Sequence, residues 1–513
     1  MSNRGTGDST DTKRITRKAF LKAVGASGAW LSPVGLPGCA LVEPTSSGGT
    51  RASTSPGTPD PARAFRSRPD LSPPGVGVDT PAHNTASGYV FVAPKTGPAY
   101  KGPLQNGPMI VDNSGEVVWF RPMQGDMRAM DFKVQRYRGE PVITYYQGVG
   151  TTYGRGEYVI LDSSYREAKR VRAGNGYMGD HHEFLITPQG TALLTIYSPV
   201  GWDLSSVGGS ENGAVLDGIA QEVDIATGKV LFEWHSLDHV GIEASYRALP
   251  ENEQMPFDYF HINSIDVDLD DNLLVSSRTT FAIYKIDRKT GRVIWKLGGK
   301  ESDFEIGDGA WMRYQHDTRR HPDGTITVFD NGGVKKDDKS YGLVLDPDEE
   351  EMTVSLVREY PDPSGKVAAV MGNVQVLPSG GVFIGWGSDP LFSEFGEDGE
   401  LLFNAVFPPR VNSYRAFRFP WSGQPAEDPA LAVEPGDGEL TLYASWNGAT
   451  EVAAWQALAG PAPDRLKPLG PATPRAGFET AITVHSAELY VGVQANNGSG
   501  HVLGTSEVAR TPS

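Results

Sequence analysis

From Ser87 to Trp421 the chain alternates short apolar, β-prone runs with tight turns, and no long stretch sustains a helical period. One hairpin form is Ile110-Val111-Asp112-Asn113-Ser114-Gly115-Glu116-Val117-Val118-Trp119, with its turn at Asn113 to Gly115. It returns as Val223 to Val230 leading to Trp234, as Ile286 to Val293 leading to Trp295, and more loosely as Phe395 to Phe403. A second form alternates with it, at Asp131 to Tyr146, His182 to Tyr197, Ser264 to Arg278, His316 to Asn331 and Gly372 to Gly387. Repeats built of two hairpins mark the four-stranded blades of a β-propeller. Five copies of the second hairpin, plus the run Gly88 to Ala93, predict six blades. The ring would be closed by a strand from its far end, Tyr414 to Phe419.

After Pro420 the pattern changes. A Pro-rich linker near Gln424 to Pro429 leads to period-two alternation in Glu439 to Trp446, Glu451 to Leu458, Glu479 to His485 and Leu489 to Gln494. This predicts a small antiparallel sandwich, immunoglobulin-like in character. At the other end, the basic run Lys13 to Lys18 precedes a moderately apolar segment, Ala19 to Leu36. Those flanks and that length fit an export signal and are too short for a spanning anchor. Leu36-Pro37-Gly38-Cys39 reads as a lipobox, which makes Cys39 the lipid-attachment residue. The expected organisation is an export signal with lipobox over 1–39, a flexible Ser/Thr/Gly/Pro linker over 40–64, a β-propeller over 65–423 and a β-sandwich over 430–513. Such a protein is all-β, exported, and held on the extracytoplasmic side of the cell membrane by its lipid anchor alone.

Charge and cysteine content narrow the function. A net charge of −17 argues against a general nucleic-acid binder, because a phosphate backbone would be repelled. With a single cysteine no internal disulfide can form.

The candidate chemistry lies in the second hairpin. When its copies are registered on their turns, Asp131, His182, Ser264, His316 and Gly372 occupy one position, which in a propeller lies near the central channel. His182 and His316 are therefore expected to approach the axis. By period-two alternation His261 and Asn263 share a strand face and can reach one ligand, whereas His181 and His182 fall on opposite faces. The same rule separates His316 from Asp317 and His182 from Glu183. A single strand histidine is ordinarily a hydrogen-bonded core residue, but core packing does not require three on separate hairpins. His83, His235, His239 and His321 show no such register. Three imidazoles and a water would suit zinc in a hydrolase. Alternatively, one imidazole is a nucleophile while the others and an arginine hold an anionic group. Asn263 is a poor metal ligand and a good donor to an anionic oxygen, and Arg278 repels a metal and favours sulfate or phosphate. This polar set favours anion transfer with no metal and no cofactor. A surface propeller that binds a partner without turnover is the remaining alternative.

The same stretches carry a family resemblance. They are Ser67-Arg68-Pro69-Asp70, His182-Glu183-Phe184, His261-Ile262-Asn263-Ser264-Ile265, Ser277-Arg278, Ile294 to Gly299, Gln315-His316-Asp317, Gly372 to Gln375, Gly385-Trp386-Gly387, Ser393-Glu394-Phe395 and Tyr414 to Phe417. In this order, across 65–420, they resemble the arylsulfotransferase family of exported β-propeller proteins. The resemblance implies sulfuryl transfer from a phenolic sulfate ester to a phenolic acceptor without a nucleotide donor, through a sulfated histidine. It implies His316, His182 and His261 as the catalytic set, with His316 the nucleophile and His182 an acid/base or a further donor. It implies Asn263, Arg278 and His181 as substrate-binding residues, with His261 also facing the sulfuryl oxygens. The sandwich after residue 430 is not part of the resemblance.

Overall fold

The computed structural model describes residues 62–97, 102–150, 153–333 and 338–512. The expected export signal, Cys39 and the linker as far as residue 61 lie outside the described residues. Within them the chain is all-β, and the only helical segments are three short 3-10 turns.

Six sheets, each containing a four-stranded antiparallel meander, account for residues 89–419. The first is built of Ala416–Phe419, Tyr89–Val92, Met109–Val111 and Val117–Phe120. Its innermost strand comes from the far end of the ring: Tyr89 pairs with Phe419 and Val92 with Ala416. The second to sixth sheets begin at Arg128–Tyr137, Phe184–Ile186, Ile262–Val267, His316–Arg320 and Asn373–Val376. Gly77–Thr80 adds an outer strand to the sixth sheet, beside Leu401–Val406.

Turn chemistry explains why the hairpins form where they do. Asp112 Oδ1 accepts from the Ser114 and Glu116 backbone N–H groups, and Gly115 takes φ +81°. Asp224 and Asp287 repeat this arrangement ahead of Gly228 and Gly291. The carboxylate mimics a backbone turn and the glycine supplies the left-handed residue. In the second sheet the same turn, at Asp162, uses Tyr165 at φ +62° where the others use glycine. That absent glycine is why the sequence pattern passes over this copy.

Each neighbouring pair of sheets encloses its own apolar cluster. Phe91 and Ile143 share one cluster, Ile160 and Leu194 the next, then Leu193 with Ile265, Leu274 with Val328, and Phe329 with Val374. Val90 and Phe403 close the set between the sixth sheet and the first. Because both faces of every sheet are covered, the strands read as apolar runs more than as strict alternation. Contacts pass from each sheet to the next and from the sixth back to the first, so the first strands of all six sheets face a common centre.

Residues 430–510 form two further sheets around the cluster of Leu442, Trp455, Ile482 and Val491. They include the expected alternating segments and five strands the pattern did not reveal, Ala430–Pro435, Val502–Thr505 and the two-residue strands Lys467–Pro468, Thr473–Pro474 and Ala509–Arg510. Asn447 ties them to the first sheet by a reciprocal pair of hydrogen bonds with the backbone of Phe120, both 2.9 Å.

Candidate active site

The first strands meet at the centre with irregular backbone. Asp131, His261, Tyr314, Asp317 and Met371 all take positive φ between +50° and +69°. Bulges interrupt the pairing at Met130/Lys133, Ile262/Ser264 and His316/Arg319. Left-handed conformations in non-glycine residues persist where the surrounding structure over-determines them, and a bulge re-aims the side chains beside it.

These distortions gather four imidazoles. His181 and His182 stack at 4.2 Å between ring centres, His182 meets His261 at 4.9 Å, and His261 meets His316 at 6.3 Å. All four are buried, His261 the least at 8% exposure. The stacking departs from the expected separation of His181 and His182 onto opposite faces. The reason is local: Asp180 to Glu183 form a bend ahead of the strand Phe184–Ile186, so period-two alternation has not begun. The demoted acids, Asp317 and Glu183, do pair elsewhere. His321 lies apart, half-buried, with Nε2 at 2.9 Å from Thr327 Oγ1.

His182, His261 and His316 each have Nδ1 held by a residue that the sequence did not single out. Asp180 Oδ1 lies 2.5 Å from His182 Nδ1, Asp258 Oδ2 lies 2.6 Å from His261 Nδ1, and Asn331 Oδ1 lies 2.6 Å from His316 Nδ1. Two partners are carboxylates and one is a neutral amide. Asn331 is itself oriented, since its Nδ2 donates to the carbonyls of Ala368 at 2.5 Å and Met371 at 2.9 Å. Its oxygen must therefore face His316, whose Nδ1 carries the proton and whose Nε2 keeps a free lone pair. Asn331 ends the hairpin that starts at His316, and that spacing is the one signal in the sequence that could have found it.

The electrostatics follow the partners. Burial, then the positive Arg278 and the neighbouring His261, hold His316 well below the ordinary histidine range. Burial also lowers His261, against the pull of Asp258, and brings His181 down to about 3. Burial alone would raise Asp180 and Asp258, but the adjoining histidines outweigh it and both carboxyls stay low.

Arg278 lies over the Tyr314 ring at 4.7 Å and donates from Nη2 to Ala369 O at 3.0 Å. Its Nε is buried without a hydrogen-bond partner, as is Nδ1 of His181, which lies 3.5 Å from Asp180 Oδ2. Asn263 is fully buried and donates from Nδ2 to Gln315 O at 2.7 Å, which ties its strand to the one bearing His316. Aromatic rings complete the surroundings: Tyr414 lies 5.6 Å from His182 and 6.5 Å from His316, and Tyr197 lies 5.4 Å from His182 and 5.7 Å from His261. Tyr153 stacks on Tyr197 at 5.6 Å.

Asp180, His181 and His182 bring three potential metal donors within 4.8 Å of one another. The Asp180 carboxylate, however, already accepts from His182 Nδ1, the backbone N–H groups of His182 and Gly154, and the Thr195 hydroxyl. A metal there would have to displace donors that orient His182.

An all-β protein with a central histidine cluster and, among the described residues, a guanidinium beside it that pairs with no carboxylate is the class that fold and site define. Residues 133–408, more than half of the chain, match the model of the arylsulfotransferase (ASST) family, and the chain belongs to that family. The match spans His181, His182, His261, Asn263, Arg278 and His316. Among solved structures, a protein of unknown function from Bacteroides caccae is similar at 13% identity and a TM-score of 0.39, over 64% of this chain and 98% of that one. Virginiamycin B lyase from Staphylococcus aureus is similar at 9% identity and a TM-score of 0.32, over 72% of this chain and 94% of that one. No curated protein matches the chain.

Proposed function

We propose that this chain is an aryl sulfotransferase that moves a sulfuryl group from a phenolic sulfate ester to a phenolic acceptor through a sulfohistidine at His316. The observation that carries the reading is the Asn331–His316 hydrogen bond, which leaves Nε2 of a neutral imidazole unprotonated beside Arg278 and His261. The Nε2 lone pair attacks sulfur, the bond from sulfur to the aryl oxygen breaks, and the phenolate leaves with the bonding pair. His182, fixed by Asp180, gives that phenolate a proton and later takes one from the acceptor phenol. The acceptor oxygen then attacks sulfur and His316 is released. Arg278, His261 and the remaining amide N–H of Asn263 face the sulfuryl oxygens, where charge spread over those oxygens makes positioned donors effective. His181 packs the substrate side of His182.

The same reading takes the six sheets as blades of a six-bladed β-propeller over 65–423, with an immunoglobulin-like sandwich over 430–513. It places the protein outside the cytoplasm, lipid-anchored at Cys39. The closed cycle of sheet contacts and the pairing of Ala416–Phe419 with Tyr89–Val92 support the first part.

The test is incubation with p-nitrophenyl sulfate, with and without a phenol, followed by acid-free peptide mass spectrometry. The expected results are release of p-nitrophenol and an added sulfuryl group on the peptide bearing His316. His316→Ala should lose the adduct and at least ~10³-fold of the rate, as removal of a nucleophile does. A rate abolished by chelators and restored by zinc would instead establish the metal-hydrolase alternative, and no release from any phenolic sulfate would favour a binding module.

A further inference from the structure

Five lysine or arginine residues are buried among the described residues, and four of them are matched by carboxylates. Lys133 pairs with Asp131 and Glu183, Lys285 with Asp268, Asp270 and Glu349, Arg415 with Asp131, Glu183 and Asp317, and Arg418 with Glu394. Lys95 is the exception. It is 8% exposed, on the short strand Lys95–Thr96 that pairs with Val411–Asn412. Its Nζ donates to Asn412 Oδ1 at 2.8 Å and lies 3.3 Å from Met371 Sδ. Both partners are neutral, and one of the three N–H donors remains to be used.

The place of Lys95 ties it to the site. The carbonyl of Met371 accepts from Asn331, the residue that orients His316. Asn412 precedes by two residues Tyr414, whose ring meets His181, His182 and His316. Lys95 is also among the charges that act on His181. Arg278 donates to Ala369 O and Lys95 contacts Met371, so the two carboxylate-free cations bracket one short segment of the site. Arg278 is on the side of His316 and His261; Lys95 is on the side of His181.

We propose that Lys95 binds a carboxylate carried on the aromatic ring of the substrate, at the His181 end of the histidine cluster, away from Arg278. The proposal rests on the sulfotransferase reading and deepens it: the substrates would be phenols bearing a carboxylate, of the hydroxybenzoate class, and their sulfate esters. A buried ammonium with only neutral partners is costly, and an arriving anion completes it. Burial, with the positive Arg128 adding to it, pulls the free amine down to about 7, as expected of a cation waiting for its counter-charge. The charged or titratable groups facing it are Arg128 and His181. The match to the family model begins at residue 133, so Lys95 lies outside it.

The experiment measures the affinity of 4-hydroxybenzoate and 4-ethylphenol by calorimetry, for the wild-type protein, Lys95→Met and Lys95→Arg, with melting temperatures for all three. The wild type should bind 4-hydroxybenzoate about tenfold or more tighter than 4-ethylphenol, the scale of a desolvated charge contact. Lys95→Met should erase that preference by weakening the carboxylate ligand alone, and Lys95→Arg should keep part of it. The melting temperature of Lys95→Met should stay level or rise, because an unmatched buried cation has been removed. Equal affinities in the wild type, or an undiminished preference in Lys95→Met, would overturn the proposal. So would a Lys95→Met chain that melts lower or does not fold, since that reports a structural role. A carboxylate preference without any sulfuryl transfer would leave the Lys95 site standing and remove the proposed function; transfer without the preference would do the reverse.

Discussion

Two layers at the centre of the molecule use neighbouring residues of the same segments in opposite ways. His182, His261 and His316 make one layer, each hydrogen-bonded through Nδ1, with Arg278 lacking a carboxylate beside it. Glu183 and Asp317, each one residue further along, join Asp131 in the other. There three carboxylates meet Lys133, Arg319 and Arg415 in a buried network, with Arg415 touching all three acids at 2.8 to 3.3 Å. The three acids and three cations of the network balance in charge; the histidine layer, with Arg278 beside it, has no such balance. The first can hold the ring of first strands together, and the second keeps lone pairs and N–H groups for a substrate.

The comparison breaks most directly at Arg415. Arg415→Met would leave three buried acids facing two cations, and uncompensated buried charge is expensive. We expect a loss of about 3–5 kcal/mol in unfolding free energy, measured by chemical denaturation. A loss below about 1 kcal/mol would mean that the network is no more than a set of solvent-screened pairs.

A smaller and more specific effect is expected at Asn331. Asn331→Asp turns the amide partner of His316 into a carboxylate like those of His182 and His261. An adjacent negative charge favours the imidazolium, so the pKa of His316 should rise and the neutral fraction at pH 7 should fall. Once the pKa of His316 lies about one unit above the assay pH, the neutral fraction and with it the rate are down roughly tenfold, with recovery as the pH is raised. A pH–rate profile that is unshifted in Asn331→Asp would show that the amide does not set the protonation state of His316.

How far the two layers were legible in the sequence follows from what each signal depends on. The hairpins, their alternation and the closing strand Ala416–Phe419 were readable because turn residues and apolar runs are local. Registering His182 and His316 on their turns, with His261 on the hairpin between them, was enough to bring them together. The partners Asp180 and Asp258 were not readable, because the backbone ahead of each strand delivers them to their rings, and Asn331 left only its place at the far end of the His316 hairpin. The bends and bulges also defeated strict alternation at His181 and His182, which period-two reasoning separates and the backbone stacks. Lys95 gave no pattern at all: an isolated lysine in a turn-rich stretch becomes unusual only once its burial and neutral partners are seen.

Acid should separate the layers next. His181, His261 and His316 have folded pKa values below the ordinary 6.5, His181 at about 3. Below pH 6.5 the unfolded chain therefore binds protons at these rings that the folded chain refuses. Their contribution to stability is complete above pH 6.5 and is lost as the pH falls towards their folded values, by about 1.4 kcal/mol per pH unit for each ring. Glu183 is also depressed; burial opposes this, and Arg319, Lys133 and Arg415 outweigh it. Its contribution is lost only as the pH falls from the usual carboxylate range, so the histidine layer should weaken first. Unfolding followed between pH 8 and pH 4 should show the decline starting near 6.5 in the wild type. In His181→Gln the slope between pH 6 and pH 4 should be shallower by about one proton; an unchanged slope would remove His181 from the neutral layer.

The smallest effect tests whether the distinction is one of position and not of residue type. His321 follows Arg320 in the same hairpin as His316, but it accepts or donates only one bond, to Thr327, and is half-buried beside a solvent-facing turn. His321→Gln retains a polar group able to reach that hydroxyl, so the change in stability should stay within about 1 kcal/mol. Sulfuryl transfer should be unaltered, because the ring lies apart from the cluster and its loss changes none of the contacts that orient His316. If His321→Gln impaired transfer as strongly as a change at Asn331, coupling would have to run along the whole hairpin, and the separation of a reactive layer from its scaffold would not hold.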